Sequence, residues 1–193
     1  MIDARRDWLG ELQTALAAGT VLGALAGAGT VIYAATADTV ELTIVATHGT
    51  AITGLPAGVT LADGGAVDVA IAEPGWVERL AHLAQGAPSY LLGMVLIASL
   101  WRIVRAARHT DPFVPEAARR LRRLGLGTLA GGLVADTLEI GSGAFASTLV
   151  YGEFRALPLA YHLWWPLIGF GLLAVGEVLR RGAALRAELD EVV

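Results

Sequence analysis

Three stretches of this chain, residues 12–37, 80–101 and 156–176, contain no Asp, Glu, Lys or Arg. Each is long enough for a helix to cross roughly 30 Å of hydrocarbon, which takes about 20 residues. The composition agrees: of 193 residues 55% are hydrophobic and 17% charged, and the mean hydropathy is +0.59, too apolar for an ordinary water-soluble domain. An integral membrane protein is the reading these features impose. They exclude a disordered or collagen-like chain, and the formal net charge of -4 argues against direct nucleic-acid binding. The absence of cysteine removes disulfides, thiolate nucleophiles and thiolate metal sites.

A fourth span is expected at 124–152, although Asp136 and Glu139 interrupt it. Without it the last span would invert and carry Arg180, Arg181 and Arg186 outward, against the positive-inside bias. Arg5, Arg6, the arginines between 102 and 123 and those from Arg180 onward then share one side, leaving Arg79 and Arg155 opposite. Both termini are therefore expected in the cytoplasm. The length of the first apolar run favours a retained anchor over a cleaved signal peptide, whose core is roughly 7 to 15 residues.

The expected fold class is all-α transmembrane: a four-helix membrane bundle with a small extracytoplasmic β insertion between helices 1 and 2. The spans are placed at 12–37, 80–106, 120–148 and 156–181. Residues 1–11, an Arg-rich loop at 107–119 and a tail at 182–193 lie inside, and 38–79 and 149–155 outside. Gly19, Gly23 and Gly27 recur every four residues, which puts a small-residue stripe on one face of the first helix, suited to packing inside the bundle or to a homo-oligomer seam. Gly127 and Gly131 offer a second such patch.

The 38–79 segment has a different texture. Val40, Leu42 and Ile44 alternate with more polar neighbours, the pattern of a half-buried strand. Runs at 59–61 and 66–71, joined by Asp63-Gly64-Gly65, read as a hairpin. The surface is acidic, and His48 is expected on a loop.

The inner loop carries Asp111-Pro112-Phe113-Val114-Pro115-Glu116, a helix start with capping residues, proline in the first turn and an acid at the positive end of the dipole. Arg119, Arg120, Arg122 and Arg123 follow, placed to anchor the helix in anionic headgroups. In Pro112, Phe113, Glu116, Arg120, Leu121, Arg122 and Gly125, and again in Arg180, Arg181, Gly182, Leu185, Glu188 and Val192, the chain resembles the small bacterial membrane proteins of domain of unknown function 2975 (DUF2975). Val114 and Ala117 depart from that pattern, standing where the family has Ser and Asn, and the tail reads Asp190-Glu191-Val192-Val193. The resemblance implies a polytopic protein of the bacterial inner membrane, with no assigned activity, often encoded beside a small helix-turn-helix regulator that is its implied cytosolic partner.

Asp136 and Glu139 lie three apart, hence on one helix face, and ionisable residues at such depth are costly enough to point to function or to a polar interior. Ser142, Ser147 and Thr148 extend the polar stripe, and His162 lies near the expected outer end of the fourth helix. Asp136, Glu139 and His162 form the candidate intramembrane polar site, read either as a proton or cation site or as a hydrated vestibule. Two carboxylates and one His specify no metal geometry, and no cofactor is called for. Phosphate-binding, zinc-protease, nucleophile-elbow and dinucleotide motifs are absent from the sequence, so no enzyme is expected. The leading expectation is a sensory or regulatory accessory protein of the bilayer. The alternative is a small oligomeric transporter or proton or cation permeation unit using Asp136 and Glu139.

Overall fold

The computed structural model describes residues 8–45, 66–109, 115–152 and 162–190. In chain order these form α1 (Trp8–Thr36), β1 (Thr39–Val45), β2 (Ala66–Ala72), α2 (Trp76–Ala84), α3 (Ala87–His109), α4 (Pro115–Tyr151) and α5 (Trp164–Asp190). The described chain is mostly helical with one small two-stranded sheet. His48, the 59–61 run, the Asp63-Gly64-Gly65 turn, Pro112, Phe113 and the end of the tail lie outside the described residues.

Three segments, Gly10–Thr36, Ala87–Ala107 and Glu116–Tyr151, are long and apolar enough to cross a membrane. Their surfaces fit that solvent. Leu22, Leu25 and Ile32 on α1 are each more than 60% exposed, an arrangement that water penalises and lipid does not. At 37 residues α4 extends about 55 Å, well beyond a hydrocarbon core of roughly 30 Å, so its ends project from it.

Two helix boundaries differ from the sequence expectation. The span expected to start at 80 is instead broken: α2 ends at Ala84 and α3 begins at Ala87. Pro88 lacks the N–H that would continue the α2 ladder, yet sits comfortably in the first turn of a new helix. At the other end, α5 starts at Trp164 and is free of Asp, Glu and Arg only as far as Gly176. That is shorter than the roughly 20 apolar residues a crossing needs. The expected fourth span draws on 156–161, which lie outside the described residues.

The chain divides into two compact units. One comprises Met1–Gly27, Leu91–Leu133 and His162–Val193, the other Ala28–Tyr90 and Val134–Tyr161. In the second, β1 pairs antiparallel with β2, matching Val40 with Ile71, Leu42 with Val69 and Ile44 with Val67. All these side chains therefore share one face. On that face Leu42 and Ile44 form a buried cluster with Ala81 of α2 and Ala146 of α4, flanked by Val69, Ile71 and Tyr151. On the opposite face Thr43 Oγ1 donates to Asp68 Oδ1 of its cross-strand partner at 2.7 Å.

In the first unit α4 and α5 approach almost backbone to backbone. A Cβ at Gly125 would stand 2.9 Å from the Gly169 carbonyl, one at Gly169 3.1 Å from the Gly125 carbonyl, and one at Gly176 3.3 Å from the Ala118 carbonyl. A Cβ at Gly132 would collide with Trp165. Rising numbers on one helix meet falling numbers on the other, so the pair runs antiparallel. Gly19 of α1 faces Ile97 of α3 at ordinary contact distance, while Gly131 is pressed by Leu92 and Gly127 has open space around it.

Candidate functional site

Asp136 and Glu139 occupy successive turns of α4, and the structure buries the first to 4% exposure while leaving the second partly exposed. Glu139 Oε1 accepts the backbone N–H of Ser89 at 2.9 Å. Ser89 is the third residue of α3, so its N–H is one of the four that no helix can satisfy internally, and a carboxyl there also meets the positive end of the dipole. Glu139 thus caps α3 from α4. The adjacent Ser89 Oγ is buried and has no hydrogen-bond partner among the described residues.

The rest of the expected polar stripe turns inward on its own helix. Ser142 Oγ donates to the Glu139 carbonyl, Ser147 Oγ to Gly143 and Thr148 Oγ1 to Ala144, at 2.8, 3.0 and 3.2 Å. Such back-bonding satisfies hydroxyls in an apolar medium. His162 precedes α5, is exposed, and belongs to the other unit.

Three polar side chains with no motif around them organise the surroundings of the two-stranded sheet. Gln85 brackets Thr43 of β1, its Oε1 accepting the Thr43 N–H at 2.9 Å and its Nε2 donating to the Thr43 carbonyl at 2.8 Å. One turn earlier, His82 Nδ1 lies 2.7 Å from the Glu41 carbonyl, and because a carbonyl can only accept, that nitrogen carries the proton. Residues 41 and 43 present their backbone groups along the same edge of β1, the edge that β2 does not occupy. Together these bonds occupy part of an edge that would otherwise be open to strand addition. Arg79 completes the arrangement by donating from Nη1 to the Ala34 carbonyl at 2.6 Å and from Nε to Pro74 at 3.1 Å. The Ala34 carbonyl lies in the last turn of α1, where helix carbonyls lack partners and a cation is favoured. The only sequence signal for these roles was the i, i+3 recurrence of Arg79, His82 and Gln85, which marks one polar helix face without revealing what it meets.

The motif residues divide between packing and charge. Leu121 is buried and Gly125 meets α5, whereas Arg120 and Arg122 are exposed. Glu116 pairs with Arg119 in the first turn of α4. On α5, Glu177 accepts from Arg180 Nε and Nη2 at 2.8 and 2.7 Å and from Arg181 Nε at 2.9 Å.

Among known proteins, the family model described as "Protein of unknown function (DUF2975)" matches residues 71–193. Neither the curated proteins nor the solved structures hold a match to the chain.

Proposed function

The chain belongs to the DUF2975 family, whose members are proteins of unknown function, and from that premise we propose that it is a membrane-bound sensory or regulatory accessory protein. The observation that carries this reading is the tie between the two-stranded sheet and the helices. Arg79 bonds the end of α1, and the buried face of β1 packs on Ala146 of α4. The same α4 is one unbroken helix whose opposite end bears Arg119, Arg120, Arg122 and Arg123. A ligand that displaced the β1–β2 sheet would bear directly on both helices.

In this reading the chain sits in the bacterial inner membrane as a four-helix bundle. Both termini are cytoplasmic, and a small helix-turn-helix regulator engages the Arg-rich end. The native thiol-free sequence makes topology testable by single-cysteine labelling: Ala117→Cys should react only from the cytoplasm and Gly64→Cys only from outside. Crosslinking in native membranes followed by purification should recover a stoichiometric DNA-binding regulator.

The second reading, a small oligomeric transporter or permeation unit with no enzymatic activity, draws support from the burial of Asp136 within a membrane-length helix. It is weakened by Glu139, whose carboxyl is already committed to the α3 N-terminus. A homo-oligomer with acid-dependent flux in liposomes, and no recovered regulator, would favour it over the first.

A further inference from the structure

Where α5 passes over the start of α4, the missing side chain of Gly176 lets the two backbones close to near contact, and beside that crossing a groove of about 590 Å³ opens. Its floor is apolar, formed by Ala118, Leu173 and Gly176, and its rim carries Arg119, Arg122, Arg180 and Glu177. The charges do not cancel. Glu177 is shared between Arg180 and Arg181, which leaves one positive charge in excess, and Glu116 offsets Arg119. Arg122 has no hydrogen-bond or ion-pair partner among the described residues, so a second positive charge is uncommitted.

We propose that this groove binds an anionic phospholipid, its phosphate held by Arg122 with Arg119 and Arg180, and the upper part of an acyl chain laid along Ala118, Leu173 and Gly176. Three features select that occupant. Guanidinium groups recognise phosphate oxygens through paired N–H donors, and a rim with excess positive charge favours a headgroup of net negative charge over a zwitterionic one. The floor is apolar and the cavity far larger than a phosphate ion, so a free anion would leave most of it unfilled. The groove also lies at the end of a membrane-length helix, where lipid is the most concentrated ligand available. The proposal rests on α4 being a membrane span and is independent of any sensory role or cytosolic partner.

Its test uses an internal control on the same helix. Arg120 and Arg123 are exposed, carry the same charge and do not line the groove. Full-length protein in neutral detergent is titrated with short-chain phosphatidylglycerol or phosphatidylcholine, and bound lipid is counted by native mass spectrometry. The wild type should prefer phosphatidylglycerol. Arg119→Gln with Arg122→Gln should weaken that binding about tenfold or more, and Arg120→Gln with Arg123→Gln by no more than about threefold, the diffuse effect of losing surface charge. Leu173→Gln should weaken phosphatidylglycerol without changing the response to glycerol phosphate. Equal losses in both arginine pairs would overturn the proposal, as would equal binding of the two lipids by the wild type. So would competition by glycerol phosphate at the same concentration as the lipid, which identifies a free-anion site, or by an acidic peptide, which identifies a protein surface. The lipid comparison needs no variant, so it decides even if the substitutions impair folding.

Discussion

Glu139 on α4 caps α3 by accepting the Ser89 backbone N–H at 2.9 Å, so an acid within a helix of membrane-crossing length is engaged in joining two helices. A hydrogen bond to a carboxyl is worth about 1.5 to 3 kcal/mol net, and losing it also strands the N–H. Glu139→Ala should therefore lower stability by about 1 to 3 kcal/mol, while Glu139→Gln keeps the accepting oxygen and should cost less than about 1. Thermal unfolding in detergent measures both. In the double variant Asp136→Asn with Glu139→Gln, a structural pair predicts that any phenotype falls only in step with protein abundance. Loss of phenotype at normal abundance and normal melting temperature would instead mark the pair as functional.

The Gln85 amide works as a substitute for a neighbouring strand, donating to and accepting from one residue of β1. Gln85→Ala removes both bonds, each worth about 1 kcal/mol, and reopens that edge. Hydrogen exchange at the Thr43 amide should accelerate by about ten- to thirtyfold, corresponding to about 1.4 to 2 kcal/mol of lost protection. Gln85→Glu, which keeps an acceptor for the Thr43 N–H and loses the donor, should fall between. Unchanged exchange in Gln85→Ala would show that the amide contributes nothing to the strand.

What the sequence disclosed follows from which signals are local. Alternation at Val40, Leu42 and Ile44 marks a strand with one buried face, and all three side chains are 1% exposed or less. The family motif was visible in consecutive residues, and the family match over 71–193 agrees with it. Partners were harder to read. No turn signal announces that β1 pairs with residues 66–72, because that pairing bridges a long separation. An apolar run beginning at 80 reads as one helix, and only Gly86 and Pro88 hint at the break. Glycine spacing points to Gly19, Gly23 and Gly27, yet close glycine contacts also occur at Gly125 and Gly132, seven apart on α4, and at Gly169 on the opposing α5. Spacing within one helix shows a small face and not what covers it.

Glu73 holds φ at 51°, the left-handed region, while its N–H donates to the Asp38 carbonyl at 2.8 Å just beyond the β1–β2 ladder. An L-residue there bears about 1 to 2 kcal/mol of strain. Glycine escapes that strain and gives back part of the gain through greater freedom in the unfolded chain. Glu73→Gly should accordingly be neutral or stabilising by up to about 1 kcal/mol, and Glu73→Val, β-branched, should be destabilising. The order of melting temperatures, glycine at or above wild type and valine lowest, checks the conformation at this turn.

Two glycines of α4 only two residues apart should respond oppositely to the same methyl group. At Gly127 a Cβ meets nothing within 4 Å, so Gly127→Ala adds only helix propensity and should stabilise by up to about 1 kcal/mol. At Gly125 the same atom would stand 2.9 Å from the Gly169 carbonyl and 3.0 Å from Leu173 Cγ. The leucine can turn aside, but the carbonyl belongs to a helix backbone and moves only if α5 moves. Gly125→Ala should therefore cost about 1 to 3 kcal/mol, the range for overpacking a close contact. The two variants differ in no charge and no change of volume, so their melting temperatures isolate the helix crossing. If Gly125→Ala were as stable as Gly127→Ala, the close approach of α4 and α5 at Gly125 and Gly169 would be wrong.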